Sequence, residues 1–240
     1  MIIIPARLNS SRFENKILVD ILGLPMVIKT AKQVSSLDKV VIATDSQEVI
    51  DLAHNYGFEA VMTSSSHQSG TDRINEAVNI LGLAEDEIIV NVQGDEPFIE
   101  PSVIEAVINR VKKVNKNNED IMITSCYKEI NSNLADDPNH VKVILDEDSN
   151  AIYFSRAKIP YHRDHYDSSS YYGHLGIYGF TKKSLNEFCK LKSSKLENIE
   201  KLEQLRAIDN GHKIAMVKVI SKSFGIDTED DLKNAIKIFG

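Results

Sequence analysis

The chain has 240 residues, 42% of them hydrophobic and 26% charged, a composition and length that suit one α/β domain with a sizeable core. No apolar stretch approaches the ~18–20 residues that cross a bilayer, and the opening MIIIPARLNSSR lacks the basic region and small-residue cleavage site of a signal peptide, so no membrane insertion and a cytoplasmic location are expected. A net charge of −7 disfavours a broad nucleic-acid surface, so any phosphate ligand has to be met by a local concentration of cations.

Taken in chain order, residues 2–5, 40–44 and 88–92 read as buried parallel strands, apolar on both faces. Between them, Pro25 opens a helix whose apolar face is Met26, Val27, Thr30, Ala31 and Val34. A second helix spans Ser46–Asn55 with Ser46 as its cap, a third Asp72–Leu81 and a fourth Ser102–Val114. This alternation predicts a parallel sheet covered by helices. After Asn115 the rhythm changes. Residues 121–127, 140–146, 151–155 and 174–180 read as strands of an antiparallel character, with a polar loop after the first and a Tyr/Ser/Asp-rich stretch over 161–172. Helices follow at 182–191 and 197–209, then a strand at 213–219 and a closing helix at 229–239. The whole, 1–240, reads as one mixed α/β domain with a β segment inserted at about 120–180. Cys126 and Cys189 read as buried free thiols.

Six constellations carry chemistry. Arg7, Arg12 and Lys16, with Asn9, Ser10 and Ser11, follow the first strand and so sit at the carboxyl edge of the sheet, where open α/β folds bind ligands. Guanidinium forks and an ammonium suit phosphate, though a solvated basic loop has the same composition, and the GxxxxGK[ST] pattern is absent. Gln93, Gly94 and Asp95 fall at the same edge, and Asp95 suits Mg²⁺, which takes one or two carboxylates; Glu96 is expected to face outward. Thr228 and Asp231 resemble a capping box, which leaves Asp227 just outside the helix, either as an ordinary helix-start acid, the commoner case, or, paired with Asp95, as a second ligand. Ser69, Gly70 and Thr71 precede a helix start that reads either as a capped helix after a flexible loop, the commoner case, or as a donor-rich anion or base site from which Arg73 reaches phosphate or sugar. His174, Gly176 and Tyr178 share one strand face, and with Arg156 they suit a carboxylated, polyhydroxylated substrate, though His174 also reads as a satisfied structural histidine. Last, Ile199, Leu202, Leu205 and Ile208 form a buried helical stripe, with Glu200, Glu203 and Gln204 at one-turn spacing on a face that is either solvated or an acceptor for sugar hydroxyls.

PARLNSSR with its following Lys, ATDS, HQSGTDR, VNVQGDEP, FSRAKIP, HLGIYGF, IEKLEQLR and GIDTEDDL occur in the order seen in the Kdo (3-deoxy-manno-octulosonate) cytidylyltransferases, and the chain resembles that family over nearly its whole length. The resemblance implies a glycosyltransferase-A-like nucleotidyltransferase fold, CTP and Kdo as substrates, Mg²⁺ as cofactor, and a homodimer built through the β segment. It implies a triphosphate loop of Arg7, Ser11, Arg12 and Lys16, and a cytidine site of Thr44, Asp45, Ser69, Gly70, Thr71 and Arg73. Asp95 and Asp227 match the metal carboxylates; Lys16 and Arg12 join them as catalytic residues. Gln93, Arg156, His174, Tyr178, Glu200, Glu203 and Gln204 match the sugar side. Another acid sugar, 8-amino-Kdo or a sialic-acid relative, would be activated by the same chemistry. One departure stands out: the family has Leu-Pro-Gly between its second Arg and the Lys, where this chain has Phe13-Glu14-Asn15. Asn tolerates a left-handed backbone, so the turn is expected to survive, with Glu14 adding negative charge beside the phosphate site.

Overall fold

The β-branched runs of the first half form strands Ile2–Ala6 (β1) and Val40–Thr44 (β2), every residue of which is buried, and Ile88–Asn91 (β4). A further short strand, Glu59–Met62 (β3), was not expected: it lies at the sheet edge with only Val61 buried, so it has no apolar run to mark it. In this computed structural model residues 1–8, 13, 15–67, 69–163 and 171–240 are described. They form two compact units, Met1–Glu105 with Ser221–Gly240, and Ala106–Ile220.

In the first unit the strands run parallel in the order β3-β2-β1-β4. Their covering helices are Met26–Val34 (α1), Gln47–Asn55 (α2), Gly70–Ile80 (α3) and the start of Pro101–Lys116 (α4). The predicted stripe of α1 is buried, with Ile28 added to it. Ser46 takes the cap position of α2 with an extended backbone, but its hydroxyl does not cap. Ser69 does cap α3, accepting the Asp72 amide at 3.1 Å. The closing helix, Glu229–Phe239, joins this unit. Phe239 stacks on Phe98 with ring centres 4.7 Å apart, in a core that includes Ile21, Met26, Ile226 and Ala235. Burying such rings, at roughly 25 cal/mol per Å² of apolar surface, is what holds the chain's end against the strand edge.

In the second unit Ile123–Ile130 (β5) pairs antiparallel with Tyr171–Thr181 (β8) and parallel with Ile214–Lys218 (β9). Lys142–Leu145 (β6) and Ala151–Ser155 (β7) form an antiparallel pair, and β6 meets β8 at Gly173. Gly179 of β8 faces α4 so closely that a Cβ there would stand 2.5 Å from Val111 Cγ2. The polar loop after β5 contains a short helix, Ser132–Asp136 (α5), capped by Asn131. Lys182–Lys190 (α6) follows β8.

The helix expected at 197–209 is two helices, Lys195–Glu200 (α7) and Leu205–Asp209 (α8), separated at Lys201, whose φ of 53° is left-handed. Leu202 and Leu205 are buried as predicted, but Ile199 is 66% exposed, because the break ends the 3.6-residue period that would have carried it inward. The two helices are tied by Glu197, which closes the capping box with Ser194 and accepts from Arg206 Nε at 3.1 Å and Nη2 at 2.6 Å. Burial pushes the Glu197 carboxyl up, but the Arg206 and Ser194 donors outweigh it and hold it below the ordinary glutamate value near 4.5. A carboxyl depressed in the folded state stabilises above its unfolded pKa and loses that contribution as pH falls through the folded one. Glu197→Gln is therefore expected to cost about 2 kcal/mol at neutral pH. In urea melts the gap to the wild type should close as the solution is made acid through the glutamate range; a gap independent of pH would contradict the pairing.

Candidate active site

The carboxyl edge of β4 and the segment before the last helix are brought together by main-chain and carboxylate hydrogen bonds. The Ile226 amide donates to the Asp95 carbonyl at 2.9 Å. Ser223 Oγ donates to Glu96 Oε2 at 2.7 Å, while Ser221 Oγ and the Lys222 amide donate to Glu100 at 2.6 and 2.7 Å. Glu96, expected to face outward, is thus 8% exposed and turned inward, because Ser223 gives its carboxylate a partner there. No local sequence signal marked Glu100 or Ser223; the SKS run that answers the two glutamates lies more than a hundred residues away from them. The Thr228–Asp231 capping box forms as predicted.

The consequence is that Asp95 and Asp227, 132 positions apart, meet one cation. Lys16 Nζ donates to Asp95 Oδ2 at 2.6 Å and to Asp227 Oδ1 at 2.8 Å. Burial alone would lower the Lys16 pKa; Asp95 and then Asp227 outweigh it and hold it above the ordinary lysine value, so the ammonium stays charged. Two hard carboxylate oxygens already gathered around one point charge are the donor set that Mg²⁺ takes from protein, its remaining positions going to phosphate and water. Directly before Lys16, Asn15 is left-handed at φ 49°, a conformation asparagine tolerates, and Phe13 packs on the core that anchors the last helix. Arg7 stands exposed directly after β1. Asn9, Ser10, Ser11, Arg12 and Glu14 lie outside the described residues.

The nucleotide-side candidates cluster at the ends of β1 and β2. Asp45 accepts from Arg73 Nη2 at 2.9 Å and from the Leu8 amide at 3.4 Å; Arg73 Nη1 donates to Thr63 Oγ1 at 2.7 Å. Arg73 is only 3% exposed and spans Asp45 and Thr63, a brace across the strand ends rather than an outward arm. Thr44 is fully buried, its hydroxyl accepting the Ser46 amide at 3.2 Å, and Thr71 is 2% exposed. Gly70 passes so close to Pro5 that a Cβ would stand 3.2 Å from its ring, and Gln93 Oε1 lies 3.6 Å from the same point. Gln93, assigned to the sugar side, therefore lies in the first unit beside Gly70, its amide donating to Asn91 Oδ1 at 3.2 Å.

The other sugar-side candidates form two groups in the second unit. Arg156 and Glu200 clasp each other: Glu200 accepts from Ser155 Oγ at 2.6 Å and the Arg156 amide at 2.9 Å, while Arg156 Nε donates to the Glu200 carbonyl at 2.7 Å. Beneath them Lys142, fully buried, donates to the carbonyls of Arg156 at 2.6 Å and Asp137 at 3.1 Å. Lys142 falls within the strand expected at 140–146, and no local pattern there marks this brace. The second group is Ser125, His174, Tyr178 and Gln204. Tyr178 OH donates to Gln204 Oε1 at 3.0 Å, and His174 stands between Gln204 and Ser125. Glu203 adjoins it, 3.9 Å from Arg206 Nη2.

A parallel sheet whose carboxyl edge gathers a lysine and two aspartates, followed by a mainly antiparallel β segment, is the architecture of a nucleotidyltransferase. The cytidylyltransferase family model matches residues 1–214. The 3-deoxy-manno-octulosonate cytidylyltransferase of Wolinella succinogenes is 51% identical over all of this chain and 99% of its own, and that of Nitratiruptor sp. 56% identical over 97% of each. The solved structure of CMP:2-keto-3-deoxy-manno-octonic acid synthetase complexed with CTP superposes with a TM-score of 0.88 at 34% identity, over 99% of this chain and 96% of the other. The chain belongs to the 3-deoxy-manno-octulosonate cytidylyltransferase family.

Proposed function

We propose that the chain transfers CMP from CTP to the anomeric hydroxyl of Kdo, giving CMP-Kdo and pyrophosphate and so activating the sugar for lipopolysaccharide synthesis, and that it works in the cytoplasm as a homodimer built through the β segment 120–180. The observation that carries this reading is the meeting of Asp95 and Asp227 on the Lys16 ammonium, in a chain about half identical to cytidylyltransferases of that name over its full length. Among the described residues no helix is long and apolar enough to cross a membrane.

In the transfer the sugar's 2-hydroxyl oxygen attacks the α-phosphorus of CTP, the bond to the pyrophosphate oxygen breaks, and the hydroxyl proton leaves to solvent. Little covalent work falls to the protein, so positioning and charge neutralisation supply the acceleration. Mg²⁺, when bound, lowers the pKa of the sugar hydroxyl and offsets charge on the phosphates. Asp95 and Asp227 hold that ion. Lys16, Arg7 and Arg12 stabilise the charge that builds on the departing pyrophosphate. Thr44, Asp45 and Arg73 shape the floor on which cytidine rests, and Ser69, Gly70 and Thr71 present the amides that open α3. Gln93, Arg156, Tyr178 and Gln204 serve the sugar, with Glu200 holding Arg156 in place.

The test is pyrophosphate release, measured with CTP and UTP against Kdo, 8-amino-Kdo and a sialic acid, with and without Mg²⁺. Release that needs CTP, Kdo and the metal together is the expected result. Preference for 8-amino-Kdo or the sialic acid would reassign the sugar, and no release with any acid sugar would overturn the activity.

A further inference from the structure

The hydrogen bonds around His174 have a direction that proton counting determines. Strand β8 carries a bulge opposite the Ser125–Cys126 step of β5, and Ser125 Oγ, fully buried, lies 2.8 Å from the Ile177 carbonyl and 3.3 Å from that of Leu175. A hydroxyl has one proton, and two oxygens 2.8 Å apart need it between them. Ser125 therefore donates to the bulge and accepts from its third neighbour, His174 Nε2, at 2.9 Å. That puts the ring proton of neutral His174 on Nε2 and leaves Nδ1 as an acceptor, facing Gln204 Nε2 at 3.4 Å. With its amide nitrogen so turned, the 3% exposed Gln204 offers Oε1 to the Tyr178 hydroxyl, which donates at 3.0 Å. The chain runs one way, from Tyr178 through Gln204 and His174 to Ser125 and the bulge. β-bulges beside functional sites commonly re-aim side chains in this manner.

We propose that His174 is a positioning residue: held as the neutral Nε2–H tautomer, it fixes the Gln204 carboxamide and through it the Tyr178 hydroxyl, whose oxygen then meets a hydroxyl of the acid sugar as a hydrogen-bond acceptor. The proposal deepens the sugar-side reading and rests on it. A protonated ring would present N–H at both nitrogens, forcing Gln204 to turn its oxygen to His174 and its amide to Tyr178, and reversing the phenol from acceptor to donor toward the sugar. The surroundings resist that protonation. Phe154 packs edge-on against the ring at 4.8 Å, Tyr127 is its cross-strand partner, and burial pushes its pKa down to about 3. Of the titratable neighbours, Tyr178 is itself pushed up by burial and then by Glu203 and Cys126, so it stays a phenol.

The full-length enzyme labelled with ¹⁵N-histidine tests this, the His174 signals being identified by their loss in His174→Gln. The expected spectrum has a protonated Nε2 and a bare Nδ1, unchanged from about pH 5 to about pH 8; a proton on Nδ1, or titration within that range, would overturn the proposal. The ionised carboxylate of Gln204→Glu can only accept, so over the pH range where it is charged His174 is expected to take a second proton and titrate, and kcat/KM for Kdo should gain an ionisation that the wild type lacks. A neutral His174 in that variant would equally count against the relay. His174→Gln is expected to raise KM for Kdo roughly tenfold with KM for CTP unchanged; equal changes in both would point to a merely structural histidine. Should Gln204→Glu fail to fold, the wild-type spectrum decides alone. Failure of the enzyme to turn over Kdo would remove the sugar reading while leaving the tautomer measurement standing, so the two are separable.

Discussion

Asp95→Asn and Asp227→Asn are each expected to lower turnover by at least ~10²–10³-fold, measured as pyrophosphate release at saturating CTP and Mg²⁺. Each substitution removes one of two carboxylates that share a single cation, and with it a charge placed before the reaction begins. Folding should survive either change, because Lys16 keeps the other carboxylate at 2.6 or 2.8 Å. The double variant should not be so tolerant. It leaves a side chain only 12% exposed with no anionic partner in the pair, and stripping the partners from a buried charge costs about 3–5 kcal/mol. Near-wild-type turnover in both single variants would refute the metal assignment, and a fully stable double variant would show that Lys16 does not depend on the pair.

Lys16→Ala is expected to reduce the rate by a similar ~10²–10³-fold, and its second effect separates two roles. The sequence reading gave Lys16 to phosphate; in the structure its ammonium lies on both aspartates instead. Both can hold, since a lysine ammonium has three donors on a flexible stem and the carboxylate pair uses two. If the ammonium occupies the place a divalent cation takes, the variant should bind Mn²⁺ more tightly than the wild type when no nucleotide is present, as read by titration of the free ion. Weaker Mn²⁺ binding would mean that Lys16 organises the aspartates rather than competing for them. An unchanged turnover would remove it from the phosphate role.

Much of this was legible in the residues because the signals are local. A strand apolar on both faces, such as Ile2–Ala6, announces a covered parallel sheet, and the residues directly after it must lie at the sheet's carboxyl edge. The capping box at Thr228 and the left-handed Asn15 follow from side-chain chemistry within three residues. Where periodicity had to be trusted over a longer span it failed: the stripe over 197–209 hid the left-handed Lys201, because a helix and two short helices with the same buried leucines look alike in sequence. β3 was missed for the opposite reason, an edge strand too polar to stand out.

By itself, then, the sequence determined the layers of the fold, the strand edge that carries the chemistry and the residue types able to perform it. Tertiary structure alone decided which of those residues meet. Asp95 and Asp227 share a lysine because Glu96 and Glu100 take hydroxyls and an amide from the Ser221–Ser223 run. Arg73 is a brace because Asp45 and Thr63 both reach it, and His174 has a direction because Ser125 faces a bulge. The physical reason is the same in each case: a buried polar group must find a partner, and the partner it finds is chosen by packing across the whole chain, which no local pattern records.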